Sequence, residues 1–143
     1  MSLPFRLEEG IYFEDSQLLL PWGAPLEFLE LVDTPLVTSD QLRWPAKQCF
    51  GGHRLPVEVL RNQYFNKQGI LEVVFFERNS ADPWGVFTTY SALFSQALGP
   101  PTQVQDAGYG RPIHTWLFGK VAISVGVGER FDDFVIFNIR KEK

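Results

Sequence analysis

The sequence predicts an α+β protein, a mostly antiparallel sheet with two helices on one face, built from two divergent strand–helix–strands units. Three observations carry this. Strand-like runs bounded by turn residues dominate the chain. Only two segments carry an apolar stripe at helical spacing. The triplet Pro-Trp-Gly occurs twice, at Pro21-Trp22-Gly23 and Pro83-Trp84-Gly85, each time between a strand and a helix. The 143 residues fit a single domain, with pseudo-repeat units over about 9–66 and 67–143.

The first strands are 9–15 (EGIYFED) and 17–22 (QLLLPW), parted by the turn-prone Asp15-Ser16. Residues 25–32 (PLEFLELV) read as the first helix. Leu26, Leu29 and Val32 form its stripe, and Pro25 suits the first helical position. Residues 55–61 alternate as a strand with Leu55, Val57 and Val59 on one face, and 66–69 (NKQG) read as a hairpin turn into strand 69–78. The second helix covers 86–99, where Val86, Phe87, Tyr90, Leu93, Phe94 and Ala97 share a face and Gly99-Pro100-Pro101 stops it. Residues 112–119, 120–127 and 134–140 read as an antiparallel meander with turns at 118–120 and 128–130.

The repeated triplet is explained better by a structural corner used twice than by two active sites. A strand beginning Gly-Ile precedes each triplet (Gly10-Ile11 and Gly69-Ile70), a proline ends each helix, and a later tryptophan follows each, Trp44 and Trp116. The glycine lets the chain bend from sheet to helix, and the indole plugs the corner.

Composition narrows the function. Apolar residues make up 45% of the chain and aromatics 15%, enough for a packed core. The charge-free runs are too short to span a bilayer. The start, MSLPFRLEEG, has no apolar leader region, and one cysteine, Cys49, leaves no internal disulfide, so a cytoplasmic protein is expected. A net charge of −4 without a basic cluster argues against nucleic acid.

Chemistry has one pointed candidate, 49–53 (CFGGH). Cys49 could act as a nucleophile with His53 as base, His114 as a second base, Asp132 or Asp133 as an orienting group, and the Gly51-Gly52 amides as oxyanion donors. A small buried cysteine beside a glycine bend explains the same letters, so no catalytic residue is assigned. Two histidines and one cysteine are few metal ligands. Asp132-Asp133 with Asp106 is a poor carboxylate site, because adjacent strand residues point to opposite faces. No metal or cofactor is expected. Neither 126–130 (GVGER) nor 106–112 (DAGYGRP) has the helix or lysine of a phosphate-binding loop. The second reads as a loop with an exposed Tyr109.

The strands at 72–78 and 134–140 carry large apolar residues on both faces, so helices or loops cover both, or one face meets a second subunit, a partner protein or an apolar ligand. Residues 97–105 (ALGPPTQVQ) followed by 114–125 (HTWLFGKVAISV) resemble the tandem repeats of the β-lactamase-inhibitor-protein type. That resemblance implies a curved sheet with helices behind it and an aromatic-rich concave face. Size, acidity and layout also resemble those of bacterial toxin-immunity proteins, cytoplasmic binders that block a cognate toxin. The expectation is a non-enzymatic binding protein, immunity- or inhibitor-like, contacting another protein or a second copy of itself through Trp44, Tyr109, Arg111 and Trp116. The alternative is a small-molecule-binding or thiol-dependent hydrolytic protein using the Cys49/His53 loop.

Overall fold

The computed structural model describes residues 3–142 and has the expected α+β architecture, with two α-helices and ten strands in antiparallel sheets. The chain divides into two compact units, one ending at Phe76 and the other spanning Glu77–Lys141.

In the first unit, β1 (Gly10–Phe13) and β2 (Leu18–Pro21) form an antiparallel hairpin with Gly10 opposite Pro21. Only glycine fits there. Its φ is +153°, and a Cβ would lie 2.0 Å from the Leu20 carbonyl oxygen. The first Pro-Trp-Gly forms the corner read from the sequence. Pro21 ends β2, the Trp22 indole donates to the Leu7 carbonyl at 2.8 Å, and Gly23 turns the chain at φ +80°. The helix that follows is shorter than its stripe suggests. α1 is Leu26–Leu29, and Pro25 stands before it as the N-cap, with extended φ and ψ, rather than at its first position. Asp33 and Thr34, both at positive φ, turn the chain away soon after. Val32 is buried all the same, with Leu26 and Leu29.

The sheet of this unit has the order β3 (Leu36–Val37), β4 (Gln41–Cys49), β5 (His53–Leu60), β6 (Val73–Phe76). Its core includes Leu42, Trp44, Leu55, Val57, Val59 and Phe76. The β4–β5 register slips between Trp44 and Lys47. Pro45 lies in that slip, where a strand can spare its missing N–H. The 66–69 segment is not a hairpin turn. It holds a 3-10 turn, Lys67–Gly69, within a longer connection from β5 to β6. The fully buried Asn66 fastens that connection. Its Nδ2 donates to the Leu60 carbonyl at 2.7 Å, and its Oδ1 accepts from the Glu72 and Val73 amides at 2.8 and 3.0 Å.

In the second unit, α2 (Pro83–Leu98) precedes a sheet of order β7 (Gln103–Asp106), β8 (Pro112–Phe118), β9 (Val121–Arg130), β10 (Asp132–Lys141). The second Pro-Trp-Gly is therefore the first turn of a helix, not a corner before one. Asp82 is the N-cap, accepting from the Gly85 amide at 3.1 Å, and Pro83 opens the helix. Gly85 is needed for closeness rather than for bending, since a Cβ would sit 2.1 Å from the Asp82 carboxylate. Gly99, at φ +91°, closes the helix where the sequence places its end.

Alternation sorts this sheet into two faces. Val135, Phe137 and Ile139 pair with Val127, Val125 and Ile123, while His114 and Trp116 pair with Val125 and Ile123. This face packs on α2 through Tyr90–Phe137 (4.7 Å between ring centroids), Phe94–Trp116 (5.8 Å) and Phe87–His114 (4.9 Å). The other face of β9 carries Ala122, Ser124, Gly126 and Gly128, and side chains of the neighbouring strands lie over the two glycines. Phe134 lies over Gly128 and Ile113 over Gly126, so close that neither glycine has room for a Cβ. The large residues of β10 pack on α2 on one side, while on the other Phe134 lies over Gly128 and stays partly exposed. The final hairpin turns at Phe131 rather than at 128–130, because β9 and β10 stay paired out to Arg130 and Asp132.

Candidate functional site

Asp133 stands at the start of β10 on the face that meets α2. Its Oδ2 accepts from the Trp84 indole at 2.8 Å, and its Oδ1 accepts from Arg111 Nε at 2.5 Å. Both contacts hold its carboxyl below the ordinary range, the indole bond being the larger cause, and Asp133 in turn raises Arg111. Arg111 Nη1 also lies 3.9 Å from Glu129 and donates to the Gly108 carbonyl at 3.4 Å. One carboxylate and one guanidinium therefore tie together the helix N-terminus, the 107–111 loop and the β9–β10 hairpin.

The two segments joined in this way carry the most exposed aromatic rings among the described residues, Tyr109 at 93% and Phe131 at 98%. The loop that presents Tyr109 is closed by Ala107 N–H to the Arg111 carbonyl (2.7 Å) and Gly108 N–H to Asp106 Oδ1 (2.7 Å). Tyr109 and Phe131 both occupy the left-handed region, at φ 55° and 71°, which costs a bulky L-residue about 1–2 kcal/mol. An exposed ring recovers little of that by burial. Phe131→Asn, which tolerates this φ, is expected to raise stability in urea unfolding by up to about 1 kcal/mol. A loss instead would mean that the ring is held by contacts of its own. Trp84 and Phe134, each 43% exposed, belong to the same end of the unit.

Of the four residues expected to touch a partner, the structure brings Tyr109 and Arg111 together on one loop. Trp44 and Trp116 are corrected to core positions, at 1% and 0% exposure. Each indole N–H is spent on a carbonyl near the end of the preceding helix. Trp44 donates to Val32 at 2.8 Å and Trp116 to Gly99 at 2.9 Å. Sequence reading missed Phe131, and placed Asp133 as an orienting group for Cys49 and Trp84 in a structural corner rather than here. The available signal was an aromatic residue amid charges in 128–134 (GERFDDF), where no core strand needs one.

The 49–53 loop is built differently from a thiol active site. Cys49 and His53 face each other across the β4–β5 hairpin, but Cys49 is completely buried. Burial, with smaller contributions from Glu14 and Asp15, pushes its thiol up to about 12. Phe50, Gly51 and Gly52 all have positive φ, and the resulting nest of amides is already filled. Gly51 and Gly52 N–H donate to the two Glu14 carboxylate oxygens at 2.8 and 2.7 Å. Phe50 anchors the turn against Phe5 and Phe76, at 5.8 and 5.2 Å. With burial pushing the thiol from 9.0 up to about 12, the thiolate fraction at neutral pH is lower by roughly a thousandfold. Alkylation of the native protein is expected to be slower than that of the unfolded chain by at least that factor, checked by reaction with iodoacetamide with and without urea. Comparable rates would restore the nucleophile.

His114 is a helix–sheet link rather than a partner of Cys49. Its Nδ1 lies 2.7 Å from the Oγ of the buried Ser91 on α2, and its ring sits between Phe87 and Trp116. Burial lowers its pKa. Between that value and the unfolded ~6.5 the unfolded chain binds more protons, so stability should fall as pH drops through this window. His114→Gln should flatten the dependence in urea titrations between pH 7 and 5, and an unchanged slope would assign it elsewhere.

One charged cluster had no sequence signal. Lys47, half-buried beneath the first unit's surface, bridges Asp33 and Asp15 (3.3 Å to the latter) and lies 5.2 Å from the Phe13 ring centroid. Its ammonium holds the Asp33 carboxyl below the ordinary range. Lysine fills the place where a cation would sit between two carboxylates. No group of three or more metal-ligating side chains occurs among the described residues, and Asp132 and Asp133 point to opposite faces as the strand requires. No described helix is long and apolar enough to cross a membrane.

No protein-family model matches the chain, and neither does any curated protein or solved structure.

Proposed function

We propose that this protein works by binding another protein, as an immunity- or inhibitor-like protein of a bacterium, through the loop end of its second unit. The observation that carries this reading is the pair Tyr109 and Phe131, almost wholly exposed on tips that Arg111 and Asp133 hold in place. Rigid aromatic side chains on fixed loops give large contact area at low entropic cost. The alternation of helix and Trp-bearing meander in both units supports the tandem-repeat element of this reading, since each unit secures its helix end with an indole. The burial of Cys49, which pushes its thiol up to about 12, weighs against the hydrolytic alternative.

A photo-crosslinking amino acid at position 109 or 131, in the cells that produce the protein, tests it. Lys120, exposed at the opposite end of β9, supplies the control position. Capture of one specific protein from 109 and 131 but not from 120 is expected. Absence of a crosslink, or equal capture from 120, would sink the reading.

A further inference from the structure

This inference rests on the protein-binding reading and adds the partner's chemistry: we infer that the loop end of the second unit docks a protein surface rich in arginine or lysine. Around the exposed Tyr109 and Phe131 rings, the segments 82, 106–111 and 128–134 carry five carboxylates (Asp82, Asp106, Glu129, Asp132, Asp133) and two guanidiniums (Arg111, Arg130). Five minus two leaves three negative charges in excess, most of the chain's net −4. Arg111, Asp133 and Glu129 are committed to one another and together add a single negative charge, so the outward-facing excess comes mainly from Asp82, Asp106 and Asp132 against Arg130. What faces outward is aromatic rings in an acidic field.

That combination selects among occupants. A guanidinium or ammonium gains from a ring face and from a neighbouring carboxylate at once. A second copy of this chain would bring the same acidic end against itself, opposing association. A nucleic-acid backbone would be repelled outright. A purely apolar partner would leave the carboxylates desolvated without compensation.

The test titrates the intact, isotope-labelled protein with a short arginine–glycine peptide and, separately, with its glutamate–glycine counterpart. The arginine peptide is expected to shift the amide signals of Tyr109, Arg111, Phe131 and Asp132, and to weaken roughly tenfold as salt rises to 0.15 M. Phe131→Ala combined with Asp132→Asn should weaken it by a further tenfold or more. The glutamate peptide should shift nothing. Shifts scattered over all exposed carboxylates, or indifferent to the double variant, would mean unspecific charge attraction and overturn the inference. No shift with the arginine peptide, while position 131 still crosslinks a protein, overturns the inference alone. No crosslink overturns the binding reading beneath it.

Discussion

Trp116→Ala is expected to destabilise the second unit by about 3–5 kcal/mol, the range for removing a buried aromatic side chain. The indole is fully buried, packs on Phe94 of α2, and donates to the Gly99 carbonyl where that helix ends. Trp116→Phe separates the two contributions. It keeps most of the packing and leaves the Gly99 carbonyl without its donor, which costs about 1–3 kcal/mol. Trp84→Ala is the counter-test, since that indole is partly exposed and its partner Asp133 retains Arg111. Urea unfolding of the three variants should rank Trp116→Ala well below Trp116→Phe and Trp84→Ala nearest the parent. A Trp84 variant as unstable as Trp116→Ala would show that the loop end supports the fold and is not free to serve contact.

Asn66→Ala should be comparably severe in the first unit, at about 3–5 kcal/mol. One fully buried side chain satisfies three main-chain groups, the Leu60 carbonyl and the Glu72 and Val73 amides. Alanine would leave all three buried or half-buried without partners, at about 1–3 kcal/mol for each group that water cannot reach. Hydrogen exchange at the Glu72 and Val73 amides gives a local reading alongside global stability. Unchanged protection there would mean that water replaces the side chain.

The asparagine shows where the sequence was readable and where it was not. Alternation located β5, β-rich runs bounded by turn residues located β1, β2, β6, β8, β9 and β10, and the apolar stripe with Gly99-Pro100-Pro101 located α2. β4 escaped, since the slip at Pro45 breaks its alternation and Lys47 interrupts it with a charge whose partners are distant in sequence. β7 escaped because all four of its residues are exposed, leaving no face to pattern. α1 was drawn too long, as Val32 is buried by the turn after the helix rather than by the helix itself.

At the candidate site, glycines on either side revealed Tyr109 as a loop residue, whereas Phe131 was hidden among charges beside a strand that is rich in phenylalanine. Trp44 and Trp116 were misplaced for a different reason. Aromatic character alone does not distinguish a contact from a core residue, and the deciding fact, a carbonyl twelve or seventeen residues earlier awaiting an indole donor, exists only in three dimensions.

The sealed cysteine carries one more consequence. Full burial, which pushes the thiol up to about 12, gives a peroxide, a disulfide or glutathione little thiolate and no open approach. In the folded protein Cys49 is therefore shielded from both reducing and oxidising surroundings. The lone cysteine, which in sequence suggested a reducing compartment, loses that meaning once folded. Oxidative damage to Cys49 becomes a record of unfolding, legible by mass spectrometry long after the chain has refolded or been lost to aggregation.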